Sequence, residues 1–419
     1  MKEGYFDDSS LKGIILPIMA IIVQKFGGSS VADPEKLKTV AERIAKRHHE
    51  GDRIVVVVSA MGKTTDNLMN LARQVHPNPP TQKLDLLLST GELISVALLC
   101  MAIERFGCAT EGLPGFMAGI CTDNNHTQAL IQKIDITRIF NALEENKVVI
   151  IAGFQGISLD RNITTLGRGG SDLTAMALAS ALKADKCEIY TDVKGVFTTD
   201  PHLIPTAKII PTLAYEEMLE MAASGAKVMQ SRAVEVAQRY KVPFEVRSTF
   251  SEERGTMIKE IEFKEGSVVS SAILDEQQAK ITFFNVPDTP GVAATIFGAL
   301  GEKKINVDMI VQNVSHGDFA DMSFTVSIKD LDEAMTISKN ICKDLGCSEV
   351  LANNTIAKII IIGIGMMHHP GVAARMFKAL SSAKINIQMI STSEIRIACL
   401  VDKAQGKRAL EVVHKEFFE

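Results

Sequence analysis

Two stretches decide the fold: residues 21–30 read IIVQKFGGSS, and residues 164–172 read TTLGRGGSD. Each runs from an apolar or threonine-rich strand into paired glycines, hydroxyl side chains and one fixed charge. Two adjacent residues without side chains let backbone N–H groups approach a phosphate, and the hydroxyls that follow can hydrogen-bond it. Lys25 supplies a point charge for phosphate oxygens, and Arg168 offers a planar fork that suits a carboxylate. The two stretches therefore predict phosphoryl transfer to an acceptor that is itself an acid.

The composition narrows the class of protein. A length of 419 residues provides for two or three domains. A net charge of -5, 5% aromatic residues and the absence of Trp do not favour binding to nucleic acid. Seven cysteines without a CxxC pair indicate reduced thiols in a cytoplasmic protein, with Cys342 and Cys347 as ordinary small residues.

The N-terminal apolar run from Gly13 to Val23 does not predict a membrane segment. It has roughly half the length needed to span a bilayer, and it contains Pro17. We interpret it as leading into a buried first strand from about Met19. Residues 1–18 are then an N-terminal extension without a role in the chemistry.

Residues 19–255 have the pattern of a single α/β domain. Short β-branched runs alternate with helical stretches, which predicts a three-layer sandwich with a mostly parallel sheet covered on both faces. Ligands of such sheets bind beyond the carboxyl ends of the strands, where the glycine motifs fall. The predicted strands include Ile54–Ser59, Val148–Ala152 and Glu188–Thr191, and the predicted helices include Pro34–His49, capped by Asp33, and Ser171–Lys183, capped by Ser171.

The C-terminal part of the chain contains a duplication. The sequence PGVAA at residues 290–294 recurs 80 residues later at 370–374, and further identities continue at the same offset. This predicts two βαββαβ, ferredoxin-like modules, over residues 266–354 and 355–419. The second copy is one strand short, so we expect a strand near residues 268–274 to complete it and the two copies to interlock.

Two stretches of the sequence resemble common nucleotide-binding motifs, but neither matches its motif fully. Gly62, Lys63 and Thr64 resemble the end of a P-loop, but the glycine required five residues before Gly62 is Val57. Gly363 and Gly365 resemble a dinucleotide fingerprint, but its third glycine is replaced by His368. Adjacent histidines such as His48 and His49 do not share a helix face, and no protein metal site is predicted.

The motifs together resemble the aspartate kinases of the amino-acid kinase superfamily. The resemblance rests on KFGGSS (25–30), SAMGKTTD (59–66), GE (91–92), GRGGSD (167–172), TDVKGVFTTDP (191–201), YEEM (215–218) and GAKV (225–228). The duplicated module is similar to the ACT pair that regulates these enzymes. The resemblance implies an amino-acid-kinase-type fold and transfer of the ATP γ-phosphoryl group to the side chain of L-aspartate. The product, 4-phospho-L-aspartate, begins the routes to lysine, threonine and methionine.

The resemblance also implies roles for individual residues. Lys25 and Asp172 are the expected catalytic pair, and Mg²⁺ is the expected metal, brought with ATP. The acceptor site is expected to consist of Ser59, Thr65, Glu92, Arg168, Gly169, Gly170 and Ser171. The nucleotide site is expected to consist of Lys25, Gly27, Gly28, Ser29, Thr191, Asp192, Phe197, Thr198, Asp200 and Lys227. Lys194 and Phe197 depart from the usual Asp and Tyr, which puts nucleotide affinity in question.

The ACT pair implies feedback inhibition by lysine or threonine and pairing of chains into a homo-oligomer. The expected effector contacts are Asp288, Asn306, Gln312 and Asn313 in the first module, with Asn386 and Ile387 in the second. Two alternatives remain open at this point. One is a sibling kinase for glutamate or uridylate, and the other is a non-catalytic regulatory subunit that senses a small molecule.

Overall fold

The computed structural model describes residues 20–226, 228–261, 268–314 and 319–419, with the side chain of Val314 left out. The predicted extension 1–18 and Lys227 lie outside the described residues. Contacts divide the chain into two units. Among the described residues, the first unit comprises those up to Val193 together with Arg239–Glu253, and the second unit comprises those within Lys194–Gln238 and Arg254–Glu419.

The described residues form eleven α-helices and twenty β-strands. The helices are α1 (Pro34–His49), α2 (Thr64–Val75), α3 (Thr81–Glu104), α4 (Thr137–Glu144), α5 (Gly170–Ala181), α6 (Tyr215–Ala223), α7 (Ser231–Arg239), α8 (Val292–Glu302), α9 (Leu331–Leu345), α10 (Val372–Ser382) and α11 (Gly406–Phe418). The strands are β1 (Ile21–Phe26), β2 (Arg53–Val58), β3 (Thr110–Leu113), β4 (Ile120–Thr122), β5 (Ile131–Ile134), β6 (Val148–Ala152), β7 (Gln155–Ser158), β8 (Ile163–Thr165), β9 (Lys186–Thr191), β10 (Thr212–Leu213), β11 (Phe244–Ser248), β12 (Thr256–Ile258), β13 (Ser271–Asp275), β14 (Gln278–Pro287), β15 (Val307–Val314), β16 (Phe319–Ser327), β17 (Glu349–Asn353), β18 (Ile356–Ile362), β19 (Met389–Thr392) and β20 (Arg396–Asp402).

The first unit is built around a parallel sheet in which six strands run in the order β11-β9-β1-β2-β6-β3. Strands β2 and β6 are apolar runs that are buried almost throughout, as expected for parallel strands covered on both faces. Helices α1 and α3 pack on the sheet through a cluster that includes Ile44 and Leu99. The predicted mostly parallel sheet is confirmed.

Helix α1 spans Pro34–His49, as predicted. The side chain of Asp33 accepts a hydrogen bond from the backbone N–H of Lys36 at 3.0 Å, and Pro34 occupies the first turn. A smaller sheet in the same unit has the order β5-β4-β7-β8, and a loop of residues 166–169 connects its last strand to helix α5.

The second unit contains both copies of the repeat. The first copy forms the sheet β15-β16-β14-β17 under α8 and α9, and the second forms β13-β18-β20-β19 under α10 and α11. Strand β13 precedes the first copy in sequence but pairs antiparallel with β18 of the second. The modules are therefore interlocked, and this part of the expected fold class is confirmed.

The duplication extends to the backbone conformation. Gly291 and Gly371, equivalent positions of the two copies, precede α8 and α10 with φ of 104° and 96°. Lys304 and Lys384 follow the same helices with φ of 58° and 59°. Left-handed values are costly for lysine, so both copies keep the same strained turn between helix and strand.

The prediction that all cysteines are reduced is wrong for one pair. Cys342 and Cys347 form a disulfide with a Cα–Cα distance of 5.1 Å. Gly346 ends α9 in a left-handed conformation, and Cys347 N–H then donates to Cys342 O at 3.0 Å. This reversal of the chain brings the two side chains together. The other five cysteines are free.

Candidate functional site

Four strands of the first unit end at the same edge of its parallel sheet. In the register of the sheet, Phe26 lies opposite Val58 and Tyr190, and Val58 lies opposite Ala152. The loops after these strand ends carry many of the residues predicted for phosphate and acceptor binding. The sheet thus brings together segments that are far apart in sequence, at the edge where open α/β sheets bind ligands.

Lys25 and Asp172, the two predicted catalytic residues, meet at this edge. Lys25 Nζ lies 2.6 Å from Asp172 Oδ1, and the exposed fractions of the two side chains are 12% and 9%. Asp172 belongs to the first turn of α5, where the helix dipole also stabilises a carboxylate. The ion pair holds the ammonium group of Lys25 at one position beside the glycine loop.

The two glycines after β1 serve different purposes. A Cβ on Gly27 would lie 3.5 Å from Lys25 Nζ, so a side chain there would occupy space beside the ammonium group. A Cβ on Gly28 would lie 2.7 Å from the carbonyl oxygen of Ala60 and would separate the loops after β1 and β2. Gly27 therefore keeps the approach to Lys25 open, and Gly28 allows close packing of two loops. Ser29, the next predicted phosphate ligand, is exposed.

Arg168 lies between two glycines with left-handed backbones. Gly167 and Gly169 have φ of 83° and 71°, values that glycine adopts without the strain that a side chain would cause. Arg168 is exposed and makes no ion pair with any residue that the structure describes. The loop thus presents a guanidinium group that is available to a carboxylate.

Helix α5 starts one residue earlier than predicted. Its N-cap is Gly169 and its first residue is Gly170, so the prediction of Ser171 as the cap is wrong. The left-handed conformation of Gly169 already directs the chain into the helix. Ser171 is instead buried in the first turn, and a Cβ on Gly153 would lie 2.7 Å from its Oγ.

Glu92 is a buried carboxyl on α3. Its Oε1 accepts a hydrogen bond from Ala60 N–H at 3.2 Å, whereas Oε2 finds no hydrogen-bond partner among the described residues. Burial raises the pKa of Glu92 to about 8, against the smaller opposing effect of backbone hydrogen bonds. A buried carboxyl with one oxygen left over suits a ligand that brings its own positive charge, such as an ammonium group.

Ser59 and Thr65 lie on the loop after β2 and in the first turn of α2. Ser59 N–H donates to Phe26 O at 3.1 Å, which ties the loop to the end of β1. Both residues are half-buried. All the residues predicted for the acceptor site, together with Lys25, Gly27, Gly28, Ser29 and Asp172, therefore belong to the first unit.

Sequence reasoning missed Phe154 and Asp85. Phe154 has a φ of 68°, which is rare for an aromatic residue, and its N–H donates to Thr174 Oγ1 at 3.1 Å. Its only sequence signal is a position directly after a buried strand and a glycine. Asp85 is fully buried on α3, two helical turns before Glu92. Its hydrogen-bond partners come from a segment some 40 residues away and from β8, so no local pattern marks it.

The predicted nucleotide ligands are divided between the two units. Thr191 ends β9 in the first unit and Asp192 follows it, and Thr191 Oγ1 donates to Asp192 Oδ1 at 3.0 Å. Phe197 and Asp200 belong to the second unit, where Phe197 is half-buried and Asp200 is exposed. Asp200 Oδ1 accepts the N–H of His202 at 2.9 Å.

Thr198 is a poor nucleotide ligand, and the structure gives the reason. Its N–H donates to Lys208 O at 2.9 Å, and its carbonyl oxygen accepts from Ala272 N–H at 2.8 Å. Its hydroxyl accepts from Lys208 N–H at 3.1 Å and lies 3.0 Å from His414 Nε2. Because protein groups occupy its polar atoms, Thr198 has a structural role in the second unit.

Four of the six predicted effector residues line two cavities of the second unit. A cavity of about 360 Å³ is lined by Asn313 of the first repeat and Ile387 of the second. A cavity of about 200 Å³ is lined by Asp288 and Gln312, and Gln312 Nε2 donates to Asp288 Oδ1 at 3.3 Å. Asn306 and Asn386 are exposed and line neither cavity.

In the described part of the chain, no group of three or more His, Cys, Asp or Glu residues could hold a metal ion. One described helix, α3, is long and apolar enough to cross a membrane by length and composition alone. This helix packs in the core of the first unit and buries Asp85, Ser89, Glu92 and Ser95. These contacts are those of a core helix.

Three comparisons relate the chain to known proteins. Residues 20–248 match the amino acid kinase family, and residues 280–342 and 359–417 each match the ACT domain. The chain is 47% identical over 405 residues to an aspartokinase of Mycolicibacterium smegmatis, covering 95% of this chain and 96% of the relative.

Two solved structures of E. coli aspartokinase III resemble the chain over 95% of its length and 100% of theirs. The complex with aspartate and ADP, an R-state structure, is 25% identical with a TM-score of 0.80. The complex with lysine and aspartate, a T-state structure, is 26% identical with a TM-score of 0.74.

Proposed function

Because this chain belongs to the aspartokinases of the amino acid kinase family, we propose that it transfers the ATP γ-phosphoryl group to the side-chain carboxylate of L-aspartate. The product is 4-phospho-L-aspartate. The family predicted from the motifs is confirmed, and so is the presence of an ATP-dependent kinase with two ACT domains. The alternatives of a sibling kinase for glutamate or uridylate and of a non-catalytic regulatory subunit are excluded by the same matches.

The Lys25–Asp172 ion pair is the observation that carries this proposal. An aspartate carboxylate is already ionised near neutral pH, so the acceptor needs no general base. The chain must instead neutralise the charge of the transferring phosphoryl group and align it with the acceptor. Lys25, held 2.6 Å from Asp172 beside Gly27, supplies a fixed cation for this purpose. Gly28 and Ser29 complete the phosphate-binding loop.

The acceptor aspartate is held by charges of both signs. Arg168 binds one of its carboxylates through the planar guanidinium group, and Gly169, Gly170 and Ser171 offer the N-terminus of α5 to the same ligand. Glu92, through its unpartnered Oε2, receives the ammonium group. Ser59 and Thr65 contribute hydroxyl groups.

The nucleotide is held at the end of β9 and by the segment that follows. Thr191 and Asp192 contact the ribose and phosphates, Phe197 lies by the base, and Asp200 and Lys227 are further contacts. Mg²⁺ fits as a partner of the ATP phosphates, because magnesium needs only one or two protein carboxylates beside phosphate oxygens and water. The exposed carboxylate of Asp192 would meet that need.

The two ACT modules make this chain an enzyme inhibited by lysine, threonine or both. The lysine complex of E. coli aspartokinase III supports an amino-acid effector for such an enzyme. In this chain the cavities lined by Asp288 and Gln312, and by Asn313 and Ile387, are the candidate effector sites. The reaction is then the first step towards lysine, threonine and methionine. It takes place in the cytoplasm, in a homo-oligomer that pairs through the ACT modules.

The proposal is tested by measuring ADP release from Mg-ATP against a panel of acceptors that includes aspartate, glutamate and uridylate. Hydroxylamine added to the reaction traps an acyl phosphate as a hydroxamate, which identifies the bond that is formed. We expect turnover with aspartate alone and one hydroxamate per ADP. Turnover with glutamate but not aspartate would contradict the proposal.

A further inference from the structure

Asp85 is a charged residue without contact to solvent. It lies on α3 with an exposed fraction of 0%. Its carboxylate accepts hydrogen bonds from Thr165 Oγ1 at 2.5 Å and from Thr127 N–H at 3.1 and 3.2 Å, and lies 2.6 Å from His126 Nδ1. A carboxylate has no proton to give, so His126 Nδ1 is the donor. Both oxygens of Asp85 are therefore engaged.

The partners of Asp85 frame the loop that carries Arg168. Thr165 ends β8, three residues before Arg168, and its carbonyl oxygen accepts from Ala129 N–H at 2.9 Å. Thr127 has a φ of 68°, an unusual conformation for a β-branched residue. A Cβ on Gly167 would lie 3.2 Å from Thr127 O. Asp85 thus fastens together the end of β8 and the turn against which Gly167 packs.

Burying the charge of Asp85 costs free energy unless strong hydrogen bonds compensate for it. A buried carboxylate loses its hydration, and an apolar or amide side chain would fill the same space without that loss. Among the described residues, His126 is the one basic side chain within ion-pair distance of Asp85. Hydrogen bonds to an ionised acceptor are stronger than neutral ones, so the charge gives a tighter attachment of Thr165 and Thr127.

Asp85 and Glu92 occupy the same face of α3, since seven residues make two turns and rise about 10 Å. At one end of this part of α3, Asp85 binds Thr165 of the strand that precedes Arg168. At the other end, Glu92 accepts a hydrogen bond from Ala60. A single rigid helix therefore sets the separation between the proposed carboxylate-binding and ammonium-binding groups.

We propose that Asp85 is a positioning residue for aspartate: it fixes the Arg168 loop through Thr165 and Thr127, with His126 as a further hydrogen-bond partner. The inference rests on the proposed role of Arg168 in binding aspartate. Asp85 itself contacts no substrate. Its loss loosens the geometry of the acceptor site and leaves the glycine loop after β1 in place.

The test is the steady-state kinetics of Asp85→Asn in the full-length enzyme. The amide would turn its NH₂ group towards His126 or Thr165, and loss of a charge-assisted hydrogen bond changes affinity by about tenfold to a hundredfold. We expect the KM for aspartate to rise by this factor and the KM for ATP to change by less than about twofold. Thr165→Val removes one hydrogen bond only, so it tests the same link if Asp85→Asn fails to fold.

Glu188→Gln is the matched control. Glu188 is equally buried in the same unit and accepts hydrogen bonds from Gln24 Nε2 at 2.9 Å and Tyr190 OH at 3.0 Å. We expect this variant to lower the melting temperature without raising the KM for aspartate. If Asp85→Asn behaves like Glu188→Gln, with lower stability and unchanged KM for aspartate, Asp85 is only structural and the inference is wrong.

A double-mutant cycle tests the route of the effect. If Asp85 acts through Thr165, the double variant Asp85→Asn, Thr165→Val raises the KM for aspartate no further than Asp85→Asn alone. Additive effects would overturn this route. Arg168→Lys, measured beside these variants, tests the site itself. An effect of Arg168→Lys on aspartate combined with none of Asp85→Asn removes the inference and leaves the proposed function standing.

Discussion

Lys25 and Asp172 form an ion pair with an Nζ–Oδ1 distance of 2.6 Å, although β1 begins the first unit and α5 lies near the end of its N-terminal segment. The pair lies where β1 ends and α5 begins. Strand β1 therefore places the ammonium group of Lys25 beside the first turn of α5, where the helix dipole stabilises the carboxylate of Asp172.

We expect Lys25→Ala to lower kcat by about 10²–10³-fold, because one fixed electrostatic contact to the transferring group is lost. Single-turnover measurement of ADP formation separates this loss from slow product release. Lys186→Ala is the control, since Lys186 pairs with Glu188 at the opposite end of β9 and should leave kcat unchanged. A Lys25→Ala enzyme with near wild-type kcat would remove Lys25 from the mechanism.

We expect Arg168→Lys to raise the KM for aspartate by about tenfold to a hundredfold, because lysine keeps the charge but loses the two-pronged geometry. The KM for ATP should stay nearly constant. Arg161→Lys changes another exposed arginine, in the turn between β7 and β8, and serves as the control. Equal changes in both KM values would instead place Arg168 among the phosphate ligands.

The pKa of Glu92 predicts that aspartate binding depends on pH. Burial raises this pKa to about 8, so the carboxyl is largely protonated at pH 6 in the free enzyme. An ammonium group is bound by the ionised form, and the KM for aspartate should therefore fall by roughly tenfold per pH unit between pH 6 and 8. Glu92→Gln should abolish this dependence. A KM that is flat over this range in the wild-type enzyme would contradict the role of Glu92.

The same group predicts a pH dependence of stability. The folded-state pKa of Glu92 lies above its ordinary value of 4.5, so between pH 4.5 and about 8 the folded protein holds a proton that the unfolded chain has released. The free energy of unfolding should then fall with rising pH in this window. Glu92→Gln should gain stability relative to wild type as pH rises, with no gain near pH 4. Thermal melts of both proteins from pH 4 to 8 provide the comparison.

Gln312→Ala should weaken inhibition by lysine or threonine, because it removes a side chain that lines the cavity and donates a hydrogen bond to Asp288. The measurement is a titration of activity with lysine, threonine and both together. Thr392→Ala changes the equivalent position of the second repeat and is expected to leave inhibition unchanged. If wild-type activity responds to none of the three additions, the ACT modules are dimerisation elements without an effector.

Local sequence patterns predicted the helices and strands whose boundaries are determined by residues within or next to the element itself. Asp33 and Pro34 define the start of α1, and the apolar run of β6 defines a strand covered on both faces. The start of α5 was misplaced because Gly169 adopts a left-handed conformation that only the folded loop requires. The pairing of Cys342 with Cys347 was missed for a similar reason, since it follows from the chain reversal at Gly346.

The charges of the site were predictable as residue types, whereas their environment was not. Lys25, Arg168 and Asp172 belong to glycine motifs, and these motifs predict binding of a phosphate or a carboxylate. The raised pKa of Glu92 depends on burial against Ala60, and the role of Thr198 depends on Ala272 and His414, which are distant in sequence. Asp85 carries no signal of its own, because its partners come together only when α3 packs on β8.

Ile204 belongs to the same hydrophobic cluster as residues of β18, β20, α10 and α11. A shortened gene that stops near residue 255 would leave this side chain in water and would deprive Thr198 of Ala272 and His414. Exchange of the regulatory half for that of another enzyme meets the same obstacle. A replacement would have to bring an apolar surface that fits Ile204 and hydrogen-bonding groups that fit Thr198, so this enzyme is less modular than its two kinds of domain suggest.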